Sequence, residues 1–140
     1  MSVRHAKAKW LGDLKGTGTF SAGPGIEGEY NLASRFENGA GSNPESLLGA
    51  AHAACYSMAL SVGLAKAGTP VESVETDAAV TLDKLDAGFT VTKVLLTVRG
   101  KVPGITQEAF ASAAAAAKLG CPISRALNPS VVVELDAQLV

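Results

Sequence analysis

The chain has 140 residues, with 12 Lys and Arg against 13 Asp and Glu, so its net charge is −1. This length is typical of one domain, and we predict a single domain over residues 1–140. The near-neutral charge argues against a nucleic-acid binder, because such affinity depends on neutralising many phosphates. The composition is 47% hydrophobic and 18% charged, which excludes a disordered chain and indicates an oligomer with apolar surface to cover.

The first part of the chain has the pattern of β-strands separated by glycine-rich turns. The predicted strands are Val3–Leu11, Lys15–Phe20 and Tyr30–Phe36. The N-terminus contains no apolar run and hence no visible signal peptide. We therefore expect a cytoplasmic protein.

A long central helix is predicted next. In Ser42-Asn43-Pro44-Glu45, a Ser three residues before a Glu predicts a capping box, and Pro is tolerated in a first helical turn. The helix should run to about Ala67, where Gly68 supplies a left-handed cap. The uncharged stretch Ser46–Ala65 is long enough to cross a bilayer. Its Ala, Gly and Ser content makes insertion weakly driven, so we predict a buried helix of a soluble protein with no membrane partner.

The second half of the chain predicts a hairpin, two helices and a last strand. The hairpin strands are Val74–Leu85 and Phe89–Val102, joined at Asp86-Ala87-Gly88. A helix should follow Thr106, run to Leu119 and be closed by Gly120, before a short helix Ile123–Leu127 and a strand Ser130–Leu139. The order is three strands, a helix, two strands, two helices and a strand, which predicts an α+β fold.

Apolar residues surround the whole circumference of the central helix, so it must be covered on every side. One modest sheet covers one side, and the same helix of a second chain, related by a two-fold axis, could cover the other. Glu45 and Cys55 are ten positions apart, or about 15 Å along a straight helix. An antiparallel partner crossing near residue 50 would bring Glu45 of one chain beside Cys55 of the other. Small residues at that point would allow close approach: Gly49, Ala50, Ala51 and Ala53.

The two cysteines, Cys55 and Cys121, are candidates for redox chemistry. A structural disulfide is disfavoured in a reducing cytoplasm, so two thiols indicate core residues or redox chemistry. Cys55 lies in mid-helix and would need a cation such as Arg35 to hold its thiolate. Cys121 precedes Pro122 at a helix start, where amide donors lower a thiol pKa. Either cysteine could instead be an inert buried residue.

Histidine 52 allows two further interpretations. His52, Cys55 and Cys121 could ligate one metal, but no Cys-x-x-Cys and no second His pair supports such a site. His52 could also act as a base for Cys55, although we expect it to hydrogen-bond a backbone carbonyl. We predict no metal and no cofactor.

Several segments together resemble the osmotically inducible protein C (OsmC) family. They are Trp10-x-Gly12-Asp13, Arg35-Phe36-Glu37, the stretch Ser42–Leu60, Leu82–Phe89 and Gly120–Ser124. The resemblance covers nearly the whole chain in order. It implies an intertwined homodimer in which two central antiparallel helices are wrapped by sheets from both chains.

The resemblance also implies the activity of a thiol-dependent peroxidase with a role in osmotic and oxidative stress. Cys55 matches the peroxidatic cysteine, Cys121 the resolving cysteine, and Arg35 with Glu45 the pair that poises the thiolate. The expected substrates are organic hydroperoxides, and the expected reductant is a dihydrolipoyl group or another cellular dithiol. The alternative is a non-enzymatic dimer that binds a small ligand or a metal.

Overall fold

Two three-stranded sheets organise the computed structural model, which describes all 140 residues. Each sheet lies in one of the two units into which the chain divides, Met1–Leu47 and Leu48–Val140. The chain order is three strands, two helices, two strands, two helices and one strand. The α+β class is confirmed, whereas the single domain over residues 1–140 stays a prediction.

The sheet of the Met1–Leu47 unit is an antiparallel meander of three short strands. These are β1 (Lys7–Leu11), β2 (Thr17–Ser21) and β3 (Glu27–Tyr30). The ring of Tyr30 lies against two aromatic rings of the same sheet, with centroids 5.6 Å from Trp10 and 6.3 Å from Phe20. These contacts give the small sheet an aromatic face.

A short helix, α1 (Leu32–Phe36), occupies most of the segment for which the sequence predicts a strand, so the predicted strand Tyr30–Phe36 is wrong. The reason is a capping box at its start. The Asn31 side chain accepts the Ser34 N–H at 2.8 Å, and the Ser34 hydroxyl accepts the Asn31 N–H at 2.9 Å. Such local hydrogen bonds favour a helix start over the extended backbone of a strand.

The central helix α2 covers Pro44–Lys66 and begins and ends close to the predicted residues. At its start the Asn43 side chain accepts the Ser46 N–H at 2.8 Å, so the capping residue is Asn43 and not Ser42. At its end Gly68 has a φ of 86°, which makes it the predicted left-handed cap.

The sheet of the Leu48–Val140 unit combines an antiparallel hairpin with a parallel strand. Its strands are β4 (Ser73–Leu85), β5 (Gly88–Lys101) and β6 (Val132–Leu139). Because parallel neighbours need a crossover, the chain between β5 and β6 carries two helices, α3 (Gln107–Gly120) and α4 (Pro122–Leu127). Gly120 is the last residue of α3, so the helix ends where the sequence predicts, and it does so without a positive φ at this glycine.

The core of this unit lies between the sheet and the helices. Its fully buried side chains include Val94, Leu96 and Val98 of β5, Tyr56, Leu60 and Leu64 of α2, and Phe110 and Ala114 of α3. Alternate residues of β5 face this core, as period-2 burial requires. Gly100 of β5 leaves room for the Phe110 ring, because a Cβ at this position would lie 2.5 Å from Phe110 Cζ.

Only one stripe of α2 is buried within the chain. The buried positions are Gly49, His52, Tyr56, Leu60 and Leu64, at the spacing of one helix face. On other sides Met58 is 70% and Val62 46% exposed. By length and a mean hydropathy of 1.4 the helix could span a membrane, and 28% of its most apolar stretch is buried in the chain. One chain therefore does not supply the all-round cover that the sequence of α2 demands.

Gly49 packs against the sheet of its own chain. A Cβ at this position would lie 3.2 Å from the Ala78 carbonyl oxygen and 3.3 Å from Val80 Cγ2, both on β4. Its lack of a side chain thus allows α2 to approach its own sheet. The crossing of two helices near residue 50 stays a prediction.

Candidate active site

The two cysteines lie next to each other within the Leu48–Val140 unit. Cys55 is half-buried in the middle of α2, and Cys121 is fully buried at the residue that precedes α4. Both are free thiols, and they lie close enough for each to change the pKa of the other. The fold therefore brings together two sulfurs that are 66 positions apart in sequence.

The surroundings of Cys121 favour its thiolate. Burial alone raises the pKa of this thiol, but hydrogen bonding from the Ser124 N–H, the Cys55 thiol, the Ser124 hydroxyl and the Ile123 N–H lowers the pKa below its ordinary value. The Cys121 side chain makes no helix-capping hydrogen bond. The direction of the pKa shift agrees with the expectation of a lowered thiol pKa at this helix start.

Cys55 has the opposite tendency. Burial raises the pKa of the Cys55 thiol, the Ile123 N–H lowers it, and the Cys121 sulfur raises it again through hydrogen bonding and charge repulsion. Because the two thiols interact, they titrate as a pair, and the contacts within this unit place the first negative charge on Cys121. A thiolate on Cys55 therefore needs a further cation.

His52 contacts a residue that sequence patterns do not single out. Its ring is fully buried on α2, and its Nε2 atom lies 2.7 Å from the Ser124 hydroxyl oxygen. Burial lowers the pKa of His52, which keeps the imidazole neutral at pH 7. The Nδ1 atom has no hydrogen-bond partner. The predicted carbonyl partner is thus wrong, and His52 makes no hydrogen bond to Cys55.

Ser124 and Ile123 lie beside the thiols, and the spacing of motifs does not reveal them. His52 and Ser124 are 72 positions apart, and no periodicity connects them. A weaker signal is present in Cys121-Pro122-Ile123-Ser124, where Ser124 is the third residue after the residue that precedes α4. At that position the N–H and the side chain point back to the residue before the helix.

Arg35 and Glu45 form an ion pair within the Met1–Leu47 unit. Nη2 of Arg35 lies 2.6 Å from Oε1 of Glu45, and Nε lies 3.1 Å from Oε2. Arg35 belongs to α1 and not to the end of a strand, and its guanidinium lies 5.3 Å from the centre of the Phe36 ring. Glu45 is in the first turn of α2, where a carboxylate is favoured. The four predicted site residues are therefore paired two by two, the thiols in one unit and the ions in the other.

An open apolar groove of about 650 Å³ adjoins Cys55. Its lining includes Met58, Val62, Lys66, Ala113, Ala117 and Pro122. Met58 therefore lies beside Cys55 in the groove. Tyr56 does not line the groove, because it is fully buried and donates its hydroxyl proton to the Ala114 carbonyl at 2.9 Å. The groove has the size and apolar character of a small-molecule site.

The alternative metal site receives no support from the arrangement of side chains. No group of three or more His, Cys, Asp and Glu residues is placed to hold a metal ion. The one ring nitrogen of His52 that has a partner contacts Ser124. His52, Cys55 and Cys121 therefore do not form a set of ligands.

Comparisons with known proteins identify the relatives of this chain. The family model described as OsmC-like protein matches residues 37–136. Peroxiredoxin OsmC of Escherichia coli strain K12 is 46% identical over 139 residues, which cover 97% of this chain and 96% of that protein.

Solved structures show the same fold. The organic hydroperoxide resistance protein OhrB of Bacillus subtilis has a TM-score of 0.77 at 26% identity, over 96% of this chain and 98% of that one. An organic hydroperoxide resistance protein OsmC from Legionella pneumophila has a TM-score of 0.79 at 24% identity, over 99% of both chains. From the family match and the 46% identity, this chain belongs to the OsmC family.

Proposed function

We propose that this protein is a thiol-dependent peroxidase that reduces organic hydroperoxides to alcohols and hydrogen peroxide less well. The observation that carries the proposal is the contact between two free thiols, one of which borders an apolar groove. The groove favours the hydrocarbon part of an organic hydroperoxide. The peroxiredoxin relative at 46% identity supports the same chemistry.

In the first step the Cys55 thiolate attacks the outer oxygen of the peroxide. The O–O bond breaks, the inner oxygen leaves and takes up a proton to become the alcohol, and Cys55 becomes a sulfenic acid. This role suits Cys55 because it is half-buried and adjoins the groove.

In the second step Cys121 resolves the sulfenic acid. Its sulfur attacks the Cys55 sulfur, the hydroxyl group of Cys55 leaves as water, and a disulfide forms. The proximity of the two thiols in the reduced protein, where each changes the pKa of the other, supports this step. A cellular dithiol, such as a dihydrolipoyl group, then restores both thiols by exchange.

The cation that holds the Cys55 thiolate is Arg35 in this proposal, and Glu45 orients it. A planar guanidinium can contact the carboxylate, the sulfur and a peroxide oxygen at once. Two observations support this assignment. Arg35 and Glu45 are already paired. Within the unit that contains Cys55, the Ile123 N–H is the one group that lowers the pKa of this thiol, so its thiolate needs a cation from elsewhere.

The proposed assembly is an intertwined homodimer, with two antiparallel α2 helices wrapped by sheets from both chains. It is supported by the exposed side of α2, where Ala50, Ala51 and Ala54 allow close approach of a second helix. In such a dimer the ion pair of one chain serves the thiols of the other. We further propose that the enzyme works in the cytoplasm, where dithiols keep both cysteines reduced, and protects against osmotic and oxidative stress.

Thiol titration tests this function. After one equivalent of cumene hydroperoxide, the wild-type protein should lose two free thiols per chain, and a Cys55→Ser variant should lose none. Ser57→Ala is a matched control, because Ser57 is also on α2 but hydrogen-bonds Thr76 on β4. A non-enzymatic ligand-binding dimer would lose no thiols. Multiple turnovers by Cys55→Ser would overturn the assignment of the nucleophile.

A further inference from the structure

The buried contact between His52 and Ser124 has no role in the peroxidase steps described above. Its geometry is specific: Nε2 lies 2.7 Å from the hydroxyl oxygen, His52 is fully buried, and Ser124 is 4% exposed. Ser124 is also one of the residues that lower the pKa of the Cys121 thiol, three positions before it in the chain. Ser124 therefore connects a buried imidazole on α2 to the thiol that precedes α4.

The direction of these hydrogen bonds follows from the inventory of protons. When the Ser124 hydroxyl donates to sulfur, its oxygen is left to accept, so His52 must carry its proton on Nε2. The unpartnered nitrogen, Nδ1, is then an acceptor and not an N–H. A buried acceptor without a partner is tolerated more often than a buried N–H without one. Both considerations agree on the same neutral tautomer.

We propose that His52 and Ser124 are positioning residues for Cys121. The imidazole N–H holds the Ser124 hydroxyl, and the hydroxyl directs its proton to the Cys121 sulfur, which therefore reacts as a thiolate. The ionisable groups that face this sulfur from α2 are Cys55 and Tyr56. This inference rests on the proposed peroxidase cycle, in which Cys121 closes the disulfide.

The step that depends on this arrangement is resolution. A bond forms between the Cys121 and Cys55 sulfurs while the S–OH bond of Cys55 breaks, and the hydroxide takes the proton released by the Cys121 thiol. The Cys121 sulfur is oxidised and the sulfenic sulfur is reduced, so no further reactant is needed. Because the thiolate is the attacking form, any loss of donors at Cys121 slows resolution. It does not slow the attack on peroxide, because less negative charge on Cys121 opposes the Cys55 thiolate less.

A Ser124→Ala variant separates the two steps. After rapid mixing with one equivalent of cumene hydroperoxide, sulfenic acid trapping should show a first step at least as fast as in the wild type, because less charge on Cys121 opposes the Cys55 thiolate less. Disulfide formation, followed by quenching and intact mass, should be about tenfold slower, since one hydrogen bond to a charged sulfur is lost. The control Ser57→Ala removes a hydroxyl from the contact with Thr76 and should change neither rate. Equal slowing of both steps, or of neither, would overturn the proposal.

A thiolate titration tests the same contact without any peroxide. In a Cys55→Ser background Cys121 is the one remaining thiol, and its ultraviolet thiolate absorbance reports its ionisation directly. Adding Ser124→Ala should move this titration to higher pH, and adding Ser57→Ala should not. If wild-type protein forms no disulfide with peroxide, the proposed function fails while this measurement still decides the role of Ser124. An unmoved titration would reject the contact between Ser124 and Cys121.

The wild-type protein provides a measurement that needs no folded variant. It has two histidines, His5 and His52, so nitrogen NMR of the imidazoles can be assigned with ease. His52 should be neutral at pH 7 with its proton on Nε2, and its shifts should move when Cys55 and Cys121 are oxidised to a disulfide. A proton on Nδ1, or no response to oxidation, would contradict the inference.

Discussion

Arg35 donates from two nitrogens to both carboxylate oxygens of Glu45, with Nη2 2.6 Å from Oε1 and Nε 3.1 Å from Oε2. The side chain of Glu45 is 12% exposed and that of Arg35 33%, so the carboxylate is the better shielded partner. The guanidinium is thereby fixed by the first turn of α2. In the proposed dimer, one chain therefore contributes both Arg35 and the carboxylate that orients it to the thiols of the other chain.

Replacing Arg35 by Lys should impair the peroxidase strongly. An ammonium keeps the charge but cannot engage Glu45 at two points. We expect kcat/KM for cumene hydroperoxide to fall by at least about tenfold, the loss of one charge-assisted contact. Arg4→Lys is the matched control, because Arg4 donates to the neighbouring Val3 carbonyl in the exposed N-terminal segment. Wild-type kinetics in Arg35→Lys would remove Arg35 from the mechanism.

A charge on the exposed side of α2 should dissociate the proposed homodimer. Ala54 is exposed on this helix, and a Glu at this position would place an uncompensated carboxylate between two apolar helices. Ala54→Glu should be monomeric by light scattering and should lose peroxidase activity because the proposed site is shared. Ala111→Glu, at an exposed position of α3, should remain dimeric and active. A dimeric, fully active Ala54→Glu would refute the proposed interface.

The buried histidine should make stability depend on pH in the acid range. Burial lowers the pKa of His52 in the folded protein, so below about pH 6.5 the unfolded chain binds a proton that the folded chain does not. The free energy of unfolding should therefore fall as pH decreases from about 6.5 towards the folded pKa, by up to about 1.4 kcal/mol per pH unit. Urea unfolding at fixed protein concentration measures this slope.

A His52→Gln variant provides the comparison for that slope. Gln carries no titrating group, so the free energy of unfolding of the variant should fall less than that of the wild type between about pH 6.5 and about pH 5. This range lies below the ordinary pKa of histidine and above those of the carboxyl groups. If the free energy of unfolding had the same dependence on pH in both proteins, the lowered pKa of His52 would not be the cause of that dependence.

Substitution of Gly100 should destabilise the Leu48–Val140 unit. A methyl group there would lie 2.5 Å from the Phe110 ring, which is fully buried and has no room to move. We expect Gly100→Ala to lower the free energy of unfolding by about 1–3 kcal/mol. Gly120→Ala is the control, because no atom lies within 4 Å of its added methyl group. That variant should be unchanged or more stable, and a stable Gly100→Ala would show that the strand can shift.

Elements with local signals were predictable from the sequence. Asp86-Ala87-Gly88 forms the hairpin turn with Gly88 at a φ of 116°, and Gly68 ends α2, because each conformation depends on the residue present at that position. The hairpin strands and α3 also begin within a residue or two of their predicted starts. The helix α1 was missed because the reciprocal hydrogen bonds of Asn31 and Ser34 outweigh a strand-like pattern.

Long-range contacts were not predictable in the same way. The sequence places Cys121 at a helix start, but no local rule says that Ser124 meets His52 or that Gly49 lies against β4. These contacts are decided by how α2 packs on the sheet and on α4. The resemblance to a family identifies the candidate site residues, whereas tertiary packing decides which of them lie next to each other.

In the proposed peroxidase cycle, the unequal burial of the two sulfurs decides which of them the reductant attacks. Cys121 is fully enclosed and Cys55 borders an open groove, so a thiol arriving from solvent can touch the oxidised bridge at Cys55 alone. Cys121 is then the leaving sulfur, and its lowered pKa makes it the faster one to depart. The transient mixed disulfide with the reductant is therefore anchored on α2, and the reductant must fit the same groove that admits the peroxide.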